Sequence, residues 1–366
     1  MGALERLERR NQDFLLLETI KRVGVQNYSL LARLTGLNAE TIRYKVSKHL
    51  IKIGLNATIR INYGELGLSI SYLLVTPKPG SGSAWLDNMN YVIFSGKLMG
   101  TNKYFCICAL PFRFKKKFND VLEGIKAQGV VEDYEIADVS WVRYPPFRVE
   151  MYDFEEKCWT VDWNRLALPS KEVGPSFLSV NRDSVVDYID LKILKAMLLD
   201  PTIPIAKAAK AIQANPRTVR YHHTEHVLKG KFILSNDIRW VKPFQEEGAE
   251  NIMRALIIFR RLDQAAAEKV RRFCNNLPFT WLEAGTEERT YLALIDIPIG
   301  LFHESIRQIE SHLRLQGDNY EVVILDPSRT KSLDIPDEMF DKDRGWRLLN
   351  YQEVAAAQAQ AQDRRN

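Results

Sequence analysis

The chain of 366 residues carries 51 Lys and Arg against 46 Asp and Glu, a net charge of +5, with 46% hydrophobic and 27% charged residues. That mixture excludes a disordered, collagen-like or disulfide-stapled chain and suits two or more globular domains of roughly 150 residues each. No apolar run reaches the roughly 18 residues of a membrane span, MGALERLERR at the start places charges where a secretory signal needs an apolar stretch, and the four cysteines (Cys106, Cys108, Cys158, Cys274) are too scattered for a disulfide framework or zinc ribbon. A cytoplasmic protein with no membrane partner is expected.

In chain order, an apolar helical pattern runs from Phe14 to Gly24, and a short second helix covers 28–36 (YSLLARLTG). Asn38 then caps a third helix, NAETIRYKVSKHLIK at 38–52, because its side chain can accept a bond from an unpaired backbone N–H. A β-prone segment, NATIRINY at 56–63, completes the outline of a winged helix-turn-helix. Next come a strand (69–77), a short helix (83–89), a hairpin (91–100 and 104–110), a helix (116–129) and a closing strand (132–142). That order, βαββαβ, describes a ferredoxin-like sandwich with one sheet face free to pack on another sheet. Cys106 and Cys108 fall on one face of its apolar strand and read as core.

Residues 144–185 form a linker that should pack, since it holds Pro145-Pro146, Gly174-Pro175, Trp159 and Trp163. The same order then returns: helices at 188–200 and 204–213, a third helix opened by Asn215-Pro216, and a β-prone segment at 232–240. A strand (254–262), a helix (265–276), a hairpin (279–285 and 290–297), a helix (304–317) and a strand (319–326) follow. NPRTVRYHHTEHVLK at 215–229 repeats 38–52 at an offset of 177, with Asn, Thr, Arg, Tyr, His and Lys identical. The fold class expected is therefore α+β, two tandem copies of a winged helix-turn-helix plus a ferredoxin-like βαββαβ domain. The boundaries are 1–62 and 63–143, the linker 144–185, then 186–242 and 243–330, with a C-terminal extension 331–366 whose low-complexity tail (355–366) is expected to be disordered.

Charge and face point to nucleic acid. Residues 1–60 carry +6 and residues 182–242 carry +5, so the rest of the chain is net −6. Cations brought to phosphates release counterions and bind duplex in a salt-dependent way. At 100° per residue, Ile42, Val46, His49, Leu50 and Ile53 gather on the inner side of the third helix. Glu40, Thr41, Tyr44 and Lys48 face outward, flanked by Arg43 and Lys45; in the second copy Arg217, Thr218, Tyr221 and Glu225 do so, flanked by Arg220 and His222. Arg can fork onto guanine, Thr can touch a thymine methyl, and Tyr and Lys reach phosphates. Arg60 and Arg239 in the β-segments are candidate phosphate contacts. Because Glu40 stands opposite Arg217 in the repeat, the half-sites should be unequal.

NAETIRYKVSKHLIKIGL and the downstream YGELG (63–67) resemble the leucine-responsive (Lrp/AsnC) regulators, and the resemblance covers nearly the whole chain as two copies. It departs where the family's Arg is Lys45 and His222, and where its G-x-Y-D effector hairpin is GTNKYF (100–105) and GTEERTY (285–291). The resemblance implies a transcription factor, not an enzyme. Two heads of one chain would read a pseudo-palindromic site on double-stranded DNA, with Gly100, Thr101, Gly285 and Thr286 as candidate effector contacts. A small-molecule effector and a homodimer are the further candidate partners. No cofactor, metal site or catalytic residue is expected; HHTEH (222–226) reads as core or groove-facing histidine because no H-E-x-x-H or cysteine joins it. Two alternatives stand beside this reading. One is a sirohaem-decarboxylase-like enzyme on the same fold, with His222, His223 and Arg239 holding a carboxylated tetrapyrrole; the other is an interaction module whose heads no longer bind DNA.

Overall fold

The computed structural model describes residues 3–52, 54–81, 84–153, 156, 158–166, 168–169, 173–178, 186–240, 252–313, 320–331 and 333–347. The tail at 355–366 lies outside them. In the first head, α1 (Ala3–Val23) and α2 (Tyr28–Thr35) precede a third helix. That helix starts as α3 (Ala39–Tyr44), widens into a π-turn over Lys45–His49 and ends as α4 (Leu50–Lys52). Asn27 and Asn38 cap α2 and α3, and Gly36, at φ +71°, makes the left-handed turn between them. Leu16, Leu17, Ile20, Leu31, Ile42 and Leu50 close the head's core.

The strand β1 (Leu55–Ile61) leads into β2 (Ser69–Pro77), α5 (Ala84–Asp87), β3 (Val92–Leu98), β4 (Tyr104–Leu110), α6 (Lys115–Ala127) and β5 (Val131–Arg143). The linker contributes β6 (Tyr152–Asp153), β7 (Cys158–Trp159) and β8 (Ser176–Leu178). The second head is α7 (Tyr188–Leu199), α8 (Ile205–Ala211) and α9 (Pro216–Tyr221), which also widens into a π-turn, over His222–Leu228. Then follow β9 (Ile233–Trp240), β10 (Ile252–Phe259), α10 (Gln264–Asn276), β11 (Thr280–Thr286), β12 (Tyr291–Pro298), α11 (Ile299–Leu313) and β13 (Tyr320–Lys331). A last ribbon pairs β14 (Phe340–Asp341) with β15 (Gly345–Trp346).

Within each half the strands lie in the order fourth, first, third, second: β5-β2-β4-β3 and β13-β10-β12-β11. This is the order of a ferredoxin-like βαββαβ unit. The two sheets do not simply stack. β5 pairs with β11 and β13 pairs with β3, so the eight strands close on themselves. The device is length. β5 runs for 13 residues; its first part, Val131–Asp138, pairs with β2, and its second, Val139–Arg143, pairs with β11. β13, with 12 residues, divides in the same way between β10 and β3. Closure leaves neither four-stranded sheet with a bare edge at these seams. Tyr72, Phe105, Ile107, Leu282, Leu292 and Leu294 help fill the interior, around a residual cavity of about 20 Å³.

The β-prone segments also differ from the expected wings. β1 and β9 pair antiparallel with each other from Leu55↔Trp240 to Ile61↔Ile233, forming one ribbon shared by both heads. α1 packs on β9, and α7 packs on β1. The linker packs as expected: its Trp159 meets Phe147 and Tyr152 of the linker and Phe279 of the second half, each edge-on. The C-terminal extension does the converse on the first half, where Trp346 donates from Nε1 to the Leu66 carbonyl at 2.9 Å. Lys192 and Lys195 of α7 hold Asp337 and Asp334 of that extension at 2.6 Å.

Candidate nucleic-acid interface

Both third helices are laid on their heads by a short apolar stripe. Ile42, Val46 and Leu50 are buried in the first, Val219, His223 and Val227 in the second. His223 replaces Val46 at the cost of a buried imidazole whose Nε2 has no hydrogen-bond partner among the described residues; burial pushes its pKa below the usual histidine value. On the opposite side the helices are open. Asn38, Glu40, Arg43, Tyr44 and Lys48 are exposed and Thr41 is half-buried; Asn215, Arg217, Thr218, Arg220 and Tyr221 are exposed. Tyr44 keeps 62% and Tyr221 57% of its surface accessible, unusual for a large ring without a partner to meet. Asn38 accepts the Thr41 N–H at 2.7 Å and Asn215 the Arg217 N–H at 2.8 Å, so both serve first as caps.

The heads differ within this shared layout. Arg43 is held at 2.6 Å by Glu40, one turn earlier. Arg217 stands where Glu40 does, so Arg220 has a like charge one turn earlier; it is exposed and forms no ion pair among the described residues. Glu225, at the place of Lys48, pairs with Lys229 at 2.6 Å.

Four residues expected to contact DNA point inward instead. Lys45 is only 9% exposed and its Nζ lies 2.6 Å from Oδ1 of the buried Asp13. His222 is half-buried, its Nδ1 at 2.9 Å from Asp190. Both residues open the π-turn of their helix, and each meets a buried carboxylate of the first helix of its head, Asp13 or Asp190. Arg60 is buried in the β1–β9 ribbon, where Nε and Nη2 donate to Oδ2 of Asp237 at 3.0 and 2.7 Å and the guanidinium lies over Tyr144. Arg239 is half-buried; burial, reinforced by Arg60 and Arg254, lowers its pKa, and its Nε has no partner among the described residues.

The four candidate effector residues do not converge. Gly100, at φ +73°, and Thr101 form the exposed turn between β3 and β4. Gly285 sits in the β11–β5 seam, where a Cβ would lie 2.5 Å from Nε1 of Trp141, so the glycine makes room for the indole. Thr286 borders a cavity of about 520 Å³ with Lys115, Asp138, Glu287 and Glu288.

Sequence reasoning missed Asp13 and Asp190, which anchor the inward side of the third helices. The signal was present: they are 177 residues apart, at the offset of the helix repeat. It also missed Glu283, which burial raises to about 7 despite bonds from Tyr291 and Arg143. No helix among the described residues is long and apolar enough to cross a membrane.

No family model matches the chain, and no curated protein does. Among solved structures, the siroheme decarboxylase NirDL is similar over 97% of this chain and 100% of its own, at 11% identity and a TM-score of 0.51. The leucine response regulatory protein LrpA of Mycobacterium tuberculosis is 20% identical over 35% of this chain and 90% of its own, with a TM-score of 0.26. AsnC of E. coli is 17% identical over 35% and 90%, with a TM-score of 0.27. At these identities the likeness to NirDL establishes a shared fold along the whole chain and nothing of its chemistry.

Proposed function

We propose that the chain is a DNA-binding transcriptional regulator whose two heads engage successive half-sites of one duplex. The observation that carries this reading is that both third helices expose a face of the same design: a capping Asn, a Thr, an Arg and a Tyr at matching positions. Reciprocal pairing in the barrel (β5–β11 and β3–β13) and in the β1–β9 ribbon relates the halves by a pseudo-twofold. A pseudo-twofold reader calls for a pseudo-palindromic site. Glu40 against Arg217 makes its arms unequal. The test is a gel shift on genomic fragments at two salt concentrations, followed by footprinting. Retained fragments should share a two-armed motif, and combined Tyr44→Ala and Arg220→Ala should abolish retention; scattered footprints would overturn the reading.

One observation favours a second reading, a tetrapyrrole-acting enzyme of the NirDL kind. Arg239 lies at the ribbon beside Arg60 and Arg254, and no carboxylate among the described residues pairs with it. A half-buried guanidinium in that state suits a carboxylated ligand. Against it, the His222 and His223 that such a ligand would need are taken up by Asp190 and by the head's core. Uptake of an iron-uroporphyrin, read by visible absorbance and lost in Arg239→Ala, would replace the regulator reading.

A further inference from the structure

The second head contains a side-chain quartet for which DNA contact has no use. Asp187 caps α7, Asp190 sits at its third position, and His222 and His226 approach from the π-turn of the third helix. Nδ1 of His222 lies 3.2 Å from Oδ2 of Asp187 and 2.9 Å from Oδ1 of Asp190. Nδ1 of His226 lies 3.8 Å from Oδ2 of Asp187 and 3.2 Å from Oδ2 of Asp190. Donor atoms of all four residues fall within 4.8 Å of one another. A tetrahedral ion bound at about 2.0–2.1 Å has ligand–ligand edges of roughly 3.3 Å; the four carboxylate–imidazole separations, which draw on both oxygens of Asp190, run from 2.9 to 3.8 Å around that length. The carboxylates are also held in place from behind. Asp187 Oδ1 accepts the Asp190 N–H at 2.9 Å, and Asp190 Oδ2 accepts the Asp187 N–H at 3.2 Å. Such outer bonds orient ligands in metal centres.

The first head is an internal control. At the repeat offset its corresponding residues are Arg10, Asp13, Lys45 and His49. There the Lys45 ammonium, 2.6 Å from Asp13, is the cation, and His49 adds a bond through Nε2 at 3.0 Å. Burial pushes Asp13 up, but the bonds from His49 and Lys45 outweigh it and its pKa is lowered; Asp190, buried without a lysine, is raised. In sequence, the second head has a carboxylate where the first has Arg10 and an imidazole where it has Lys45, so these four positions change in formal charge from +1 to −2 with neutral histidines. What was lost is a positive charge at the centre, and what was gained is two ligands around it.

We propose that Asp187, Asp190, His222 and His226 bind one divalent transition-metal ion, with Zn²⁺ the best match to a donor set of two imidazoles and two carboxylates. The ion takes the place that the Lys45 ammonium holds in the first head. It pins the first helix of the second head to its third helix, beneath the exposed Tyr221, whose ring packs on both imidazoles with centroids 5.8 and 5.4 Å away. The experiment uses the full chain, stripped with chelator and titrated with Co²⁺. Ligand-field bands of four-coordinate Co²⁺ should grow to one equivalent and vanish on adding Zn²⁺. His222→Lys imports the first head's solution, so the fold should survive while a ligand is lost; the bands should disappear and Zn²⁺ binding weaken by roughly 100-fold or more. Absence of the bands in the folded wild type, leaving only an Asp–His hydrogen-bond cluster, would overturn the proposal. So would bands that persist in folded His222→Lys. Neither result depends on DNA.

Discussion

Exchanging the residues that distinguish the two third helices should move DNA binding in opposite directions. In Glu40→Arg, the carboxylate that holds Arg43 at 2.6 Å is removed and a cation is added. Both side chains are largely exposed, at 79% and 58%, so the pair contributes at most about 1 kcal/mol and the helix survives its loss. Two cations then become available to phosphates. At a salt slope of about 0.9 per phosphate, the slope should steepen by about 2, and affinity should fall roughly 12-fold more than in the wild type as salt rises fourfold. Arg217→Glu does the reverse: one cation is lost, and the new carboxylate stands one turn before Arg220, as Glu40 stands before Arg43. The double variant should restore the total slope and exchange the preferred arms of the site. The assay is fluorescence anisotropy on a footprinted fragment across a fourfold range of salt. Slopes unchanged in both variants, or shifted the same way in both, with the heads still folded by circular dichroism, would refute the placement of these helices against a duplex.

Three further predictions concern the frame that holds the heads. Asp237→Asn strands the buried Arg60 guanidinium beside Arg239; breaking such a pair should cost about 3–5 kcal/mol, read as an earlier urea transition of the head region, with Ser235→Ala as a neutral control. Glu283, raised by burial to about 7, favours its neutral form in the fold, so its contribution is present below the unfolded value of 4.5 and is lost as pH rises through about 7. The difference, about 3 kcal/mol, should appear as a falling melting temperature between about pH 5 and 8 that Glu283→Gln flattens; an unaltered slope would show that another group titrates. Gly285→Ala drives a methyl into Trp141 and should cost about 1–3 kcal/mol, with a blue or red shift of tryptophan emission as the seam opens.

Much of the architecture was legible in the chain because its signals are local. Apolar periodicity, capping Asn residues and Gly36 announce the helices, and the repeat of Thr-x-Arg-Tyr announces the second head. The π-turns were not legible, since nothing at Lys45 or His222 marks i→i+5 bonding; the turn becomes apparent only once Asp13 and Asp190 are seen to draw those side chains inward. Barrel closure was hidden for a related reason. A strand of 13 residues can serve one sheet or bend between two, and only pairing with β11 decides. Of the residues read as facing outward, Glu40, Thr41, Arg43, Tyr44, Lys48, Arg217, Thr218, Arg220 and Tyr221 lie on an open face, whereas Lys45, His222 and Arg60 bond to buried carboxylates and Arg239 is half-buried at the ribbon. One signal was available and unused. Met151-Tyr152-Asp153 with Trp159 recurs as Met339-Phe340-Asp341 with Trp346, and both form the small ribbons that latch each half onto the other.

Fusion of the halves explains why their heads could diverge. In a dimer of identical chains every exchange contact occurs twice in the same form, and a substitution changes both heads at once. Here β1 pairs with β9, α1 packs on β9 and α7 on β1, so each half completes the other while the sequences remain separate. Arg60–Asp237 is a bond that strict symmetry would forbid, because it joins residues 177 apart, at equivalent positions of the two copies. A symmetric pair would set Arg against Arg or Asp against Asp. The same freedom allowed Lys45 to remain a fixed cation in one head while His222 took its place in the other, giving two readers of related design, each with its own internal charge.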